Sequence, residues 1–457
     1  MWTNAQQATA WAFAWLLLVT AGFVLLRRPS PNPSRGEGDW AGNLSQREGD
    51  WAGNLSQREG NRIGWPVILL LAALARLAPA LWLPVGAGYD IDSFRLVTDA
   101  LLSGQEVYAA ALGRHPYLPF QMFIMGGAAA LSAATGLPFV VAVKLPAILA
   151  DVAIVGLLYR LVAARRGRDW AAYVALLYAL NPVSLLVSAY HGQFEAITLL
   201  LLLVAWALWE RPRVGISAAA LGLAILNKTW PVILLPVFFI RLAHWRARIL
   251  HALIALGVPA LAVVAYLLAY DADPMTMLGR ALTHRGVAGY WGPSAVVFPL
   301  AAAQPALQPL ADALLALRNP LLLAAVLLAL WWTQRQPALD ALLTVQLAVF
   351  AVTVGFGIQW LVWPLPFALL TGQARWLRVY SLAAALMLAV HLFGLHMTPW
   401  LPQTLPASAD WIIRLSALPA WGVVVAWLVS RLRAARAVVP AGEPREDWPR
   451  SGRIAEP

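Results

Sequence analysis

Asp90 and Asp92 stand two residues apart in Ala87–Phe94 (AGYDIDSF), just after about twenty apolar residues. A carboxylate can take a proton from a hydroxyl. An acid at the edge of an apolar run is costly to keep there without a partner or a task. Further polar residues lie inside or beside other apolar stretches: Asp99, His115, His191, Gln193, Glu195, Lys228, His284, Arg285, Tyr290 and Gln359. Each alone has a plain alternative, a helix cap or an interfacial side chain whose stem lies in the apolar layer. As a set they combine a base for a hydroxyl with cations that can stabilise a phosphate, including one that leaves with growing charge. That mixture suits transfer of a group from a lipid-linked phosphate. There is no G-x-x-x-x-G-K-[ST] loop for a nucleotide. The seven histidines are dispersed, with no zinc spacing.

The elements that must position these residues are membrane helices. The chain of 457 residues is 61% hydrophobic and 12% charged, with 23 Trp and 32 Pro. Many of its apolar runs approach the ~20 residues that cross a bilayer, and the period-2 pattern of a membrane barrel is missing. The expected fold is therefore all-α and polytopic. There is no cysteine, so no disulfide framework. The net charge of +11 comes almost wholly from arginine, since the lysines are Lys144 and Lys228 only. The arginines cluster between apolar runs, which points to positive-inside topology and anionic lipid rather than to nucleic acid.

The charge rule orders the spans. Residues 1–28 form an N-terminal helix with Arg27 and Arg28 at its inner end. Residues 29–63 are a polar cytoplasmic linker carrying the eleven-residue sequence GDWAGNLSQRE twice, at 38–48 and 49–59; its Gly, Asn and Ser content suits a disordered segment. The helix over 64–84 then runs outward and delivers Asp90 to the external face. The next arginine cluster is at 164–168, and two apolar stretches lie between, 118–134 and 140–162. If both crossed, that cluster would be external. We therefore expect 118–134 to lie in the interface, inside a long first external loop over 85–139. A second long external loop covers 271–318. About thirteen spans result, with a catalytic domain over 64–430 and a disordered cytoplasmic tail over 431–457. The polar residues above then share the external side of a multi-pass cell-membrane protein.

These residues resemble the GT-C superfamily, the integral membrane glycosyltransferases that use polyprenyl-phosphate sugars. YDIDSFRLV resembles the acidic loop of the dolichol-linked glucosyltransferases of N-glycan assembly. DID…TDA, followed by HPYLPF, resembles the first mannosyltransferase of GPI assembly, with spacing that differs by one residue. KLPAILAD, NPVSLLVSAYHGQFEAITLLLL, LGLAILNKTWPVILLP and GIQWLVWPLP resemble stretches of bacterial members. The resemblance covers roughly 64–370 and implies interfacial helices in the first external loop. It also implies Asp90 as the base that deprotonates the acceptor hydroxyl, with Asp92 as the second acid.

The implied reaction moves a hexose, mannose or glucose, from a polyprenyl-phosphate sugar to a lipid-linked or glycolipid acceptor, with inversion. His191, Lys228, His284 and Arg285 become candidates for the donor phosphate. A phosphate would keep an otherwise unpaired buried Lys228 charged. Gln193, Glu195 and Tyr290 join them as substrate-binding candidates, Glu195 with the alternative of simple i, i+4 pairing to His191. Gln359 and Trp360 are candidates for lining the lipid or sugar groove. Some superfamily members bind a divalent metal (Mg or Mn) through such acids. Asp90 and Asp92 have no clear third carboxylate, so metal independence is expected and a bound cation stays open. Two alternatives compete. An O-antigen-type polymerase or ligase would centre on a late loop, and a lipid or solute transporter would show two similar halves with matched broken helices.

Overall fold

A computed structural model describes residues 4–28, 64–82, 88–111, 113–283, 286–394 and 407–437. The tandem repeat, His284, Arg285 and the last twenty residues lie outside them. In chain order the first helices are α1 (Asn4–Leu25), α2 (Trp65–Trp82), α3 (Gly88–Leu102), α4 (Val107–Ala110) and α5 (Gln121–Thr135). Next come α6 (Phe139–Ala142), α7 (Leu145–Arg166), α8 (Arg168–Ala179) and α9 (Pro182–Leu185). One π-helical turn, Leu186–His191, leads to α10 (Glu195–Trp209) and α11 (Val214–Asn227). A 3₁₀ turn precedes α12 (Leu235–Arg241), α13 (Trp245–Tyr270) and α14 (Pro274–Thr283). Strand β1 (Val287–Ala288), α15 (Ser294–Ala303), α16 (Gln308–Thr333), α17 (Ala338–Val352) and strand β2 (Gly355–Phe356) follow. The described residues end with α18 (Leu365–Leu370), α19 (Ala374–Gly394), α20 (Ala407–Leu415) and α21 (Ala417–Ala437).

Helices dominate because backbone polar groups in an apolar setting must be satisfied within their own segment. The α7 helix illustrates the local signals. A proline sits in its first turn, where a missing N–H is harmless. Arg165 and Arg166 lie in its last turn, against the negative end of the dipole. Gly167 ends it at φ +87°. The all-α expectation holds except for β1 and β2, a two-residue antiparallel ribbon pairing Val287 with Phe356. Gly286 permits that approach, because a Cβ there would lie 2.8 Å from the Phe356 backbone.

Among the described residues, six helices are long and apolar enough to cross a membrane, or seven if the bent pair Arg168–Ala179 and Pro182–His191 makes one span. The expected thirteen is reached if the bent pair counts as one span and six of the eight shorter apolar helices also cross, those at 11–25, 195–209, 214–227, 230–241, 338–352 and 358–370. Fifteen residues of helix measure about 22 Å against a hydrocarbon core of about 30 Å. Two boundaries differ from the sequence reading. The α16 helix starts at Gln308 and carries Pro320 in its interior, a tolerated placement in an apolar bundle. The α21 helix runs to Ala437, past the boundary expected at 430. Arg431 anchors that last stretch through Asp340 Oδ1 at 2.6 Å and Thr344 Oγ1 at 2.9 Å.

Residues 88–142 fold as short helices with a core of their own. Ile91, Phe94 and Val97 of α3 meet Val107, Tyr108, Met122 and Met125. Tyr266 of α13 closes this cluster and donates its hydroxyl to Glu106 at 2.9 Å. The α1 helix packs on α2, with Trp15 Nε1 donating to the Ala75 carbonyl at 3.0 Å.

Candidate active site

Helix α3 begins at Gly88 and places Asp90 in its first turn, where the helix dipole favours a carboxylate. The loop before α5 folds back over this start. Arg114 donates to the Tyr89 carbonyl at 2.9 Å and to Ser93 Oγ at 2.8 Å, and its guanidinium lies 3.7 Å from the Tyr89 ring centre.

Asp92 does not accompany Asp90. Residues i and i+2 lie on different faces of a helix, and Asp92 is exposed while its neighbours Ile91 and Ser93 are buried. Two carboxylates so arranged do not converge on one cation. Among the described residues no three His, Asp or Glu side chains group to hold a metal. The donor set therefore does not fit the Asp90–Asp92 metal site that the D-x-D spacing left open.

What meets Asp90 comes from a distant segment. The π-turn ends at His191, whose Nε2 lies 2.6 Å from Asp90 Oδ2. Gly192 follows at φ +89°, and the backbone N–H groups of Gly192 and Gln193 both donate to the Val187 carbonyl at 3.1 Å. A side chain at 192 would also press on Lys144, whose Cγ is 3.2 Å from the Cβ position. The reversal brings Gln193 Nε2 to 3.0 Å from the same Oδ2. Lys228, where α11 ends and the chain extends, reaches Gln193 Oε1 at 3.5 Å and Glu195 Oε1 at 3.1 Å. The Glu195 contact is an ion pair rather than a well-aligned hydrogen bond. Tyr117 covers Lys228, its ring centre 4.2 Å from Nζ. Asn227 holds the α11 terminus through Thr198 Oγ1 at 2.7 Å, and its carbonyl accepts from Gln121 of α5 at 2.7 Å.

The result is a chain of polar contacts running Glu195, Lys228, Gln193, Asp90, His191. It is buried except at Asp90, whose side chain is 31% exposed. Both contacts use Oδ2, and no described residue donates to Oδ1. Burial pushes the Asp90 carboxyl up, but the bonds from His191 and Gln193 and the charge of Lys228 more than offset it, so its pKa lies below the ordinary value. Nearby His115 is held down to about 3, by burial first and then by Lys228, so it is neutral. The site thus holds a carboxylate whose Oδ2 carries two contacts and whose Oδ1 meets no donor among the described residues. An aromatic pile borders it: Trp363 lies beside Glu195 and stacks on Trp230 at 3.9 Å and on Trp360 at 5.1 Å.

His191, Gln193, Glu195 and Lys228 therefore come together with Asp90. Two details differ from expectation. Lys228 is already ion-paired, and Glu195 pairs with Lys228 rather than with His191. The π-turn and the Gly192 reversal interrupt the helix that i, i+4 pairing would need. Tyr290 is partnered elsewhere, by Asp410 at 3.2 Å and by the Arg414 guanidinium 4.2 Å from its ring centre. Gln359 is half-buried in the 3₁₀ turn Ile358–Val362, beside the aromatic pile. Tyr117, Arg114 and Asn227 were missed by sequence reasoning. Tyr117 lies in HPYLPF and Asn227 in NKTWP, apolar stretches broken by polar residues, which is the signal that could have found them.

In a comparison with known families, the model of Glycosyltransferase family 87 matches residues 125–354, about half the chain. That interval includes His191, Gln193, Glu195 and Lys228 and begins after Asp90. No curated protein matches the sequence.

Proposed function

This chain belongs to glycosyltransferase family 87, and we propose that it transfers a hexose, mannose or glucose, from a polyprenyl-phosphate sugar to a lipid-linked or glycolipid acceptor at the external membrane face. The observation that carries this reading is the Asp90 carboxylate, with Oδ2 bonded to His191 and Gln193 and Oδ1 free of described donors. An acceptor hydroxyl against Oδ1 gives its proton to Asp90 as its oxygen attacks the anomeric carbon. The bond from that carbon to the phosphate oxygen breaks, and the lipid phosphate leaves with the electron pair. A single in-line displacement inverts the anomeric centre, so a β-linked donor yields an α-linked product.

His191 and Gln193 orient the base. Lys228 fixes the Gln193 amide, since its Nζ faces Oε1 and so leaves Nε2 to donate to Asp90. With its charge matched by Glu195, Lys228 is less suited to the donor phosphate than its isolation in the sequence suggests. His284 and Arg285 stay candidates for that role on sequence alone.

The test is Asp90→Asn in the purified full chain, with transfer from a polyprenyl-phosphate hexose as the readout. A loss of about 10²- to 10⁴-fold with unchanged membrane insertion is expected. Full activity of the variant would overturn Asp90 as the base.

A further inference from the structure

Arg76 and Asp151 form an ion pair deep in the bundle, with Arg76 Nε 2.7 Å from Asp151 Oδ2 and side-chain exposures of 0% and 1%. Nothing in the proposed reaction uses them. Burying such a pair costs several kcal/mol per ion unless every polar atom is satisfied, and here the satisfaction is extensive. Arg76 also donates to the carbonyls of Ala72 at 3.1 Å and Ala179 at 2.9 Å, and to Ser184 Oγ at 2.7 Å. Asp151 accepts from the Tyr178 hydroxyl on Oδ1 at 2.7 Å. On Oδ2 it accepts from Ser184 at 2.6 Å as well as from Arg76, and the Ser188 hydroxyl sits 2.8 Å from that oxygen and 2.8 Å from the Ser184 carbonyl, sharing its proton between them.

The donors are arranged around the 44° bend between Arg168–Ala179 and Pro182–His191. Tyr178 lies before it and Ser184 after it. Ser188 lies within the π-turn itself, three residues before His191. A π-turn carries one more residue per hydrogen-bonded loop than an α-turn, is seldom stable alone and needs outside support. Relaxing it to α geometry would shift the following residues by about 1.5 Å and about 100° around the axis. The 2.6 Å contact of His191 with Asp90 would not survive such a shift.

We propose that Arg76, Asp151 and Ser188 are positioning residues, which hold the register of the π-turn so that His191 Nε2 meets Asp90 Oδ2. The Ser188 hydroxyl is the link, since it joins the ion pair to the turn. The consequence for transfer rests on the reading of Asp90 as the base, whereas the effect on the His191–Asp90 contact does not.

The test uses the full chain in detergent micelles with ¹⁵N-labelled histidine. The His191 signal is identified by its loss in His191→Leu. A ring N–H this close to a carboxylate gives a strongly downfield proton resonance. Ser188→Ala is expected to move that resonance upfield or broaden it. Transfer of hexose from a polyprenyl-phosphate sugar should fall about 10- to 100-fold in kcat, with KM within about twofold. Tyr178→Phe removes a bond to the same carboxylate away from the π-turn. It should lower thermal stability and leave the His191 resonance and kcat unchanged. An unchanged His191 resonance in Ser188→Ala, or an equal change in both variants, would overturn the proposal. Should Ser188→Ala fail to fold, Ser188→Cys keeps the side-chain size with a much weaker donor and is read the same way. A displaced resonance in a protein that transfers no hexose even as wild type would support the positioning role and sink the transfer reading.

Discussion

His191 Nε2 lies 2.6 Å from Asp90 Oδ2, a contact between side chains 101 residues apart in the sequence. One comes from the first turn of α3 and the other from the last residue of the π-turn. The contact turns a half-buried helix-start carboxylate into an oriented one.

Removing His191 should change the pH response in a definite direction. Burial raises the Asp90 pKa, and the His191 bond is the leading contribution that brings it below the ordinary value. In His191→Leu the Asp90 pKa rises, so the acid limb of the rate profile moves to higher pH. The stability from the depressed pKa is complete above about 3.9 and is lost as pH falls through the lower folded value. The variant should lack that acid-side loss. An acid limb that stays in place would show that Asp90 is not the titrating group.

Lys228 and Glu195 should behave as a unit. Lys228→Met leaves Glu195 buried without its cation and is expected to destabilise by about 3–5 kcal/mol. Adding Glu195→Gln should restore much of that stability in denaturation measurements. Activity should stay low in the double variant, because the Gln193 amide has lost the ammonium that orients it. A double variant with wild-type activity would remove Lys228 from the site.

Asp92 should be dispensable. It is exposed on another face of α3 from Asp90. Asp92→Asn should keep activity within about threefold, a surface-substitution effect, and activity should survive a chelator. Chelation that abolishes activity and is reversed by Mg or Mn would restore the shared-metal reading.

The sidedness of α3 can be read by labelling, since the chain has no native cysteine. Asp99 is exposed, whereas Ser93 is 4% exposed and shielded from reagents. Asp99→Cys in intact cells should react with an impermeant maleimide from outside. Reaction only after the membrane is permeabilised would reverse the proposed topology.

Helical membrane architecture was legible over residues 64–430 because it follows from local chemistry. Apolar runs need internal hydrogen bonding, and arginine clusters mark their ends. The polar residues His191, Gln193, Glu195 and Lys228 stood out for the same reason, each being expensive in its apolar neighbourhood. Arg76 and Asp151 carried that signal too, one inside ALARLAPALW and the other at the end of KLPAILAD, yet only their 2.7 Å pairing shows what each is for.

Partnership was decided by the tertiary structure alone. Sequence spacing put Asp92 with Asp90 and Glu195 with His191. The helical start of α3 separated the first pair, and the reversal at Gly192 separated the second. Asp90 instead found His191 and Gln193, and Glu195 found Lys228. Periodicity and charge are properties of a few neighbouring residues and can be read along the chain. Which charge neutralises which depends on how α3, the π-turn and the end of α11 pack, and that is set by contacts among segments far apart in sequence.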